Sequence, residues 1–424
     1  MLKEFRVENF KSIRKEQTFT MEACPKNEVS EYPEHVIEIK NERLLKVASI
    51  YGPNGGGKSN LFKALNIFAA ITLNRPVFND SIRNENYYPC LFLKNKNTKF
   101  TLFIVTKEYE IGYSLEVNLN NIIQSVNEMI NRNVYLVDYQ IENEEMDVRK
   151  LDQEEYITLF KRDKNGIVES DVFSEIDLIK NKMALNKNKT FLNYYYSSFV
   201  FTNKSGIKNA IFDFYYEVGN YTVLRGESVA LRFTKNDSDY LSAFLDKTKE
   251  SLNALDFRID KLYFKEKDPG TYYLYIARKT KDGDYTEIPV QNESAGTIKA
   301  VNIVLGVLSN RKSHVFIGDD FDSFLHPKLI KVIIDLFTSK DNNNKQLIIN
   351  SHDIVNMNNK VFRRDEIWFA YRNEEYSTTY TPLSSIVDYK GNMVRKDAVY
   401  GKQYLEGRYG ADPFIDKGLR WNND

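Results

Sequence analysis

The chain has 424 residues, 42% hydrophobic and 28% charged, which fits a folded globular protein with room for two or three lobes. Its 59 Lys plus Arg balance 59 Asp plus Glu; zero net charge argues against a strongly basic nucleic-acid binder, and DNA stays open only through a local basic patch. Two cysteines, Cys24 and Cys90, argue against a disulfide framework and fit a reducing cytoplasm; no apolar run reaches membrane-spanning length, and Met1 to Phe5 lacks the apolar core of a signal peptide.

Residues 1 to about 22 alternate polar and apolar through Leu2, Phe5, Val7, Phe10, Ile13, Phe19 and Met21, which predicts one or two strands. Leu45 to Tyr51 reads as a buried strand leading into Gly52-Pro53-Asn54-Gly55-Gly56-Gly57-Lys58-Ser59. Those residues fill the phosphate-loop pattern G-x-x-x-x-G-K-[ST]. Glycines let backbone N–H groups approach phosphates, a lysine there reaches the β- and γ-phosphates, and the hydroxyl of Ser59 can ligate Mg²⁺. Asn60 opens a helix that runs to Leu73, with Leu61, Ala64, Leu65, Phe68 and Ile71 at helical spacing. The positive end of that helix adds to a site for ATP built from Gly52 through Asn60.

Phe100 to Val105 and Tyr109 to Val117 read as an antiparallel meander. Between about Asn120 and Glu287 the periodicity changes. Glu142 to Lys150 is acidic and polar, which predicts a solvated loop. Asp239 to Leu255 carries Leu241, Phe244, Leu245, Leu252 and Leu255 on a helical stripe. The segment reads as a mixed, mainly helical insertion without sustained heptads.

Signals become dense again after Glu287. Ser294 and Gly296, in Glu293-Ser294-Ala295-Gly296-Thr297, stand before a helical run from Ile298 to Leu308. A Ser and a Gly at a helix N-terminus suit an anion, and Ser294 alone also reads as an ordinary N-cap. Val315-Phe316-Ile317-Gly318-Asp319-Asp320 is an apolar strand ending in two acids, a Walker B pattern. It delivers Asp319 to a Mg²⁺ shell and places Asp320 where a general base or water-orienting carboxylate belongs. Gln346 to Asp353 is an apolar strand ending near His352.

Asp322-Ser323-Phe324-Leu325-His326-Pro327, following Walker B, resembles the ABC/SMC class of ATPases. The resemblance implies that Ser294-x-Gly296 is the ABC signature, which covers the γ-phosphate bound by a partner subunit. It implies that His352 is the switch histidine, and that the segment after Walker B lies near a dimer interface. Phe5-Arg6-Val7-Glu8-Asn9-Phe10-Lys11-Ser12 resembles the opening strand of SMC-, RecF- and OLD-like ATPases. No glutamine after the first helix marks a Q-loop. Arg363 to Phe369, Val394 to Asp397 and Tyr404 to Ala411 resemble the tail of RloA/AbiL-type (OLD-like, AAA_15-type) abortive-infection ATPases. Most ABC-class sites carry Glu where this chain carries Asp320. The shorter arm withdraws the carboxylate by roughly 1 Å, a misplacement that can cost about a hundredfold in rate, so hydrolysis is expected to be slow.

The expected architecture is an α/β ABC-type ATPase head with mixed β-sheets and an α-rich insertion. Its parts are 1–119 (phosphate loop), 120–287 (insertion) and 288–424 (signature, Walker B, switch His and tail). The resemblance implies ATP and Mg²⁺, a homodimer or higher homo-oligomer, and a second-component effector protein in anti-phage defence. Three other readings stay open. A RecF/SMC-like DNA-repair ATPase needs a basic groove. An OLD-type nuclease needs a Toprim domain, for which the residues after His352 offer no Asp-x-Asp cluster. A scaffold would use ATP only to assemble.

Overall fold

A computed structural model of the chain describes residues 1–27, 29–75, 90, 93, 95–119, 139–165, 168–170, 172, 188–199, 206–224, 238–268, 271–309, 314–342, 344–387 and 391–411. In chain order the strands begin with β1 (Leu2–Glu8), β2 (Gln17–Thr20), β3 (Val36–Ile39), β4 (Glu42–Leu45) and β5 (Val47–Tyr51), and α1 (Lys58–Thr72) follows. Then come β6 (Thr98–Val105), β7 (Tyr109–Asn118), β8 (Gln140–Lys150), β9 (Ile157–Arg162), β10 (Val168–Glu169), α2 (Phe191–Phe199), α3 (Asn209–Gly219) and β11 (Thr222–Leu224). The remainder is α4 (Ser238–Ala254), β12 (Lys261–Asp268), β13 (Thr271–Lys279), β14 (Tyr285–Pro289), α5 (Ala295–Ser309), β15 (Val315–Gly318), α6 (Pro327–Thr338), β16 (Gln346–Asn350), β17 (Ile367–Arg372), β18 (Thr378–Pro382) and α7 (Tyr400–Leu405).

The fold is mixed α/β. One sheet has the order β11-β15-β16-β5-β17-β18, parallel except for β18. Its central strands β5, β15 and β16 are buried along their whole length, as parallel strands covered on both faces must be. The alternation of β5 splits its side chains between two cores. Ala48 and Ile50 face α1, whereas Val47 and Tyr51 face α5, α6 and α7. A second, antiparallel sheet has the order β10-β9-β8-β7-β6-β1-β2 and lies over the other side of α1. Phe68 of α1 fills that layer, with ring centroids 5.8 Å from Phe5, 6.0 Å from Phe100 and 5.8 Å from Tyr113.

The predicted solvated loop at Glu142 to Lys150 is instead β8, paired on both sides with β7 and β9. Its alternation hides Glu144, Met146 and Val148, and Ile141 is buried before a shift in register against β7. The misleading residue is Glu144, an acid in the core. Its carboxylate accepts from the Tyr113 hydroxyl at 2.8 Å and from the backbone N–H groups of Phe191 and Leu192 at 2.8 and 3.0 Å, and it pairs with Arg162 at 3.4 Å. A buried charge so surrounded is tolerated where a bare one is not. Because β8 pairs with β7, the antiparallel sheet runs across the expected boundary at residue 119. Between 120 and 287 the described residues form strands β8 to β13 and the start of β14, as well as α2, α3 and α4, and β11 joins the parallel sheet. No helix among the described residues is long and apolar enough to cross a membrane.

The parallel order sets up the chemistry. The ends of β5, β15 and β16 lie side by side and release the phosphate loop, Asp319-Asp320 and Ser351-His352 at one edge of the sheet. Open parallel sheets bind ligands at that carboxyl edge.

Candidate functional site

Residues 52 to 59 turn out of β5 into α1 as the sequence predicts. Gly52 (φ 148°) and Gly57 (φ 104°) hold backbone that side chains rarely adopt. A Cβ on Gly52 would stand 2.0 Å from the Ala370 carbonyl oxygen, and one on Gly57 would stand 2.2 Å from the Thr378 hydroxyl. The loop is braced from distant parts of the chain. Thr378 donates to the Gly56 carbonyl at 3.0 Å and Tyr380 donates to the Gly57 carbonyl at 2.7 Å. Ser12 sits 2.6 Å from the Thr378 hydroxyl and accepts from the Asn60 amide at 2.6 Å. That gives Asn60 a place in the bracing of the loop.

Lys58 is buried, and its ammonium folds onto its own loop, donating to the carbonyls of Gly52 at 2.8 Å and Pro53 at 3.1 Å. Burial lowers its pKa, and the negative charges of Asp320, Asp322 and Asp319 pull it partly back. Lys58 and Asp320 line one cleft.

Those acids are tied to the loop by Asn350, the last residue of β16. Its side-chain amide donates to Ser59 Oγ at 3.4 Å and to the Asp319 carboxylate, while its carbonyl oxygen accepts from the backbone N–H of Asp320. Asn350 is fully buried, Asp319 half-buried and Asp320 exposed. Asp320 adopts φ 44°, in the left-handed region. The sequence reading placed Asn350 in the strand and gave it no role. The signal was a polar residue closing an otherwise apolar strand end.

His352 is exposed at the same cleft. Desolvation lowers its ring pKa, the charge of Lys58 lowers it further, and Asp322 and Asp320 oppose the shift. Its backbone N–H donates to Asp322 at 3.1 Å. The cleft has a volume of ≈ 380 Å³, within the range of small-molecule sites, and Asn54, Gly55, Lys58, Asp320 and His352 line it. Lys11 and Arg372 line it too, two cations that the sequence reading left without a role. Arg372 ends β17, outside every motif read from the sequence, and the pairing of β17 with β5 brings it here.

Ser294 and Gly296 do not line this cleft. They line a separate depression of ≈ 480 Å³, beside Phe324, Leu325 and His326. Ser294 caps α5, its hydroxyl accepting from the Thr297 N–H at 3.2 Å. His326 caps α6 by accepting from the Lys328 N–H at 3.2 Å, and Pro327 stands in the first turn. Phe324 is 75% exposed next to Ser294 and Gly296, an aromatic without cover on this face.

The donor set fits a hard dication. Ser59 Oγ and an Asp319 carboxylate oxygen, both hard oxygen donors, accept from the one side-chain amide of Asn350, which holds them as neighbours beside the loop. Mg²⁺ held there would supply positive charge to phosphate oxygens. Asn350 acts behind those oxygens. Asn350→Ala is expected to weaken Mg²⁺-dependent nucleotide binding and lower turnover by about 10- to 100-fold, as losses of supporting hydrogen bonds behind metal ligands do. Titrating Mg²⁺ against the variant at fixed ATP measures it, and an unchanged Mg²⁺ requirement would contradict the role.

A family model described as "AAA domain, putative AbiEii toxin, Type IV TA system" matches residues 47–358. None of the curated proteins matches the sequence. Similar solved structures include an SMC head domain from Thermotoga maritima, at 12% identity and TM-score 0.36, covering 90% of this chain and 98% of that one. An SMC head bound to the C-terminal winged-helix domain of ScpA has 12% identity and TM-score 0.39, covering 90% and 96%. The Pyrococcus furiosus SMC head with an extended coiled coil, bound to the C-terminal domain of ScpA, has 13% identity and TM-score 0.34, covering 90% and 95%. At these scores the likenesses bear on neither chemistry nor partners. The match to the family model takes in the phosphate loop, the Asp319-Asp320 turn and the strand of Asn350, and the chain belongs to this family of AAA domains.

Proposed function

We propose that this chain is a cytoplasmic ABC-type ATPase that binds and hydrolyses ATP with Mg²⁺ and works as a homodimer or higher homo-oligomer. In this reading Gly52 to Asn60 cradle the phosphates, Lys58 neutralises the β- and γ-phosphates, and Ser59 and Asp319 hold the metal. Asp320 orients or deprotonates the attacking water and His352 contacts the γ-phosphate. Ser294 and Gly296 of one copy would close over the nucleotide of another. The observation that carries the reading is the cluster made by Asn350, which joins Ser59, Asp319 and Asp320 beside the buried ammonium of Lys58. The separation of the signature residues from the cleft supports the need for a second copy.

The ATPase would act as the sensor or regulator of a bacterial abortive-infection system and gate a separate effector. Support comes from the RloA/AbiL-like tail and from a family description that names a toxin–antitoxin system. ATP turnover is a weak weapon, so the output is a conformational signal. The segment between about Asn120 and Glu287 and the tail around Arg395 to Ala411 are candidate surfaces for passing it on, since the ATP chemistry requires neither. Expression with and without the neighbouring genes is the test. The chain alone is expected to give neither phage protection nor toxicity. Full protection from it alone, abolished by Lys58→Ala, would place the effector within these residues and overturn the two-component reading.

A further inference from the structure

Helix α5 reads Ala-Gly-Thr-Ile-Lys-Ala-Val-Asn-Ile-Val-Leu-Gly-Val-Leu-Ser, and Lys299 is its one charged residue. It is 2% exposed. A lysine in such a place carries a desolvation cost that an alkyl side chain would not. Burial accordingly lowers its pKa, against the pull of Asp322, Asp320 and Asp319. The ammonium spends its bonds in one place: it donates to the Asp320 carbonyl oxygen at 2.5 Å and to Ser323 Oγ at 2.7 Å. Ser323 closes the triangle, its hydroxyl donating to the same carbonyl at 2.6 Å.

Asp320 is therefore gripped at both ends of its backbone. Its N–H is held by Asn350 from the phosphate-loop side, and its C=O is held by Lys299 from α5. Between those grips the residue stands at φ 44°, a conformation that persists only where the surroundings enforce it. One turn before Lys299, α5 meets the same segment again. A Cβ on Gly296 would lie 2.6 Å from the Phe324 carbonyl oxygen, so the start of the helix rests directly on the turn that follows Asp320. The end of α5 that carries Ser294 and Gly296 cannot shift or rotate without moving one or both contacts.

We infer that Lys299 is a positioning residue that couples the Ser294–Gly296 end of α5 to the Asp320 carboxylate of the same chain. The inference rests on the ATPase reading, in which Ser294 and Gly296 touch nucleotide held by a second copy. Engagement of one site then sets the geometry of Asp320 in the other, and two sites in a dimer fire together. Asp320 already stands on a short arm, so displacements of about 1 Å matter to the rate far more than to binding.

The test compares wild type, Lys299→Met, Lys299→Arg and Ser323→Ala as purified full chains, reading ATP turnover and equilibrium ATP binding on the same preparations. Lys299→Met is expected to lower kcat by about tenfold or more while Kd for ATP stays within about threefold, and Lys299→Arg is expected to recover part of the loss. Ser323→Ala leaves the helix covered and removes one corner of the triangle; a fall in kcat of about threefold without a change in Kd is expected, even if Lys299→Met fails to fold. Wild-type kcat in Ser323→Ala and Lys299→Met, or a parallel fall in kcat, Kd and melting temperature without rescue by arginine, would overturn the coupling role alone. Absence of turnover in wild type would instead overturn the ATPase reading, and the coupling with it.

Discussion

Lys58→Ala is expected to lower ATP turnover by about a hundred- to a thousandfold, the cost of removing one preorganised charge from a developing transition state. Binding should weaken with it, because the ammonium is the charge placed inside the loop. The fold should survive. Among its hydrogen bonds, the side chain reaches the Gly52 and Pro53 carbonyls of its own loop, and the bracing by Thr378, Tyr380 and Ser12 does not pass through it. Isothermal titration with ATP–Mg²⁺, together with a thermal melt, separates these effects. Wild-type affinity in a folded Lys58→Ala protein would contradict the assignment of the loop as the nucleotide site.

Asp320→Asn is expected to stop turnover while ATP–Mg²⁺ still binds. The geometry makes this variant clean. Asp320 is held through its backbone N–H and C=O, and both contacts survive the substitution. Asparagine is also among the residues that best tolerate a left-handed turn such as φ 44°. Asp319→Asn should do the reverse, weakening metal-dependent binding, since that carboxylate shares the Asn350 amide with Ser59. Asp320→Glu tests the short arm. It is expected to retain or raise kcat, at a cost in stability of roughly 1 kcal/mol for placing glutamate in the left-handed region. Single-turnover kinetics beside equilibrium binding distinguish the three variants, and undiminished turnover in Asp320→Asn would remove Asp320 from the chemistry.

The parts of the site that the sequence displays are those built from neighbouring residues. Val47 to Tyr51, the glycines and α1 carry their strand, turn and helix periods in one continuous stretch. So do Val315 to Asp320, and the helix that Ser294 caps. The parts it conceals depend on contacts between residues tens to hundreds of positions apart. Thr378 and Tyr380 brace Gly56 and Gly57 across more than three hundred residues, and Arg372 reaches the cleft only because β17 lies beside β5. Asn350 and Lys299 look like stray polar residues in apolar elements until the sheet order sets them beside Asp320. Glu144 misleads for the same reason: an acidic run reads as solvated unless Tyr113, Arg162 and the start of α2 are known to surround one of its carboxylates.

Sedimentation velocity on Asp320→Asn, with and without ATP–Mg²⁺, tests the composite site most directly. The phosphate-loop cleft and the Ser294–Gly296 depression are separate surfaces, with Phe324 exposed at the second. A nucleotide shared between two copies must therefore join them, and a variant that cannot hydrolyse should hold them joined. ATP–Mg²⁺ is predicted to drive Asp320→Asn into a stable assembly of at least two chains, and to leave Lys58→Ala unchanged. An Asp320→Asn protein that binds ATP yet sediments identically with and without it would contradict the account.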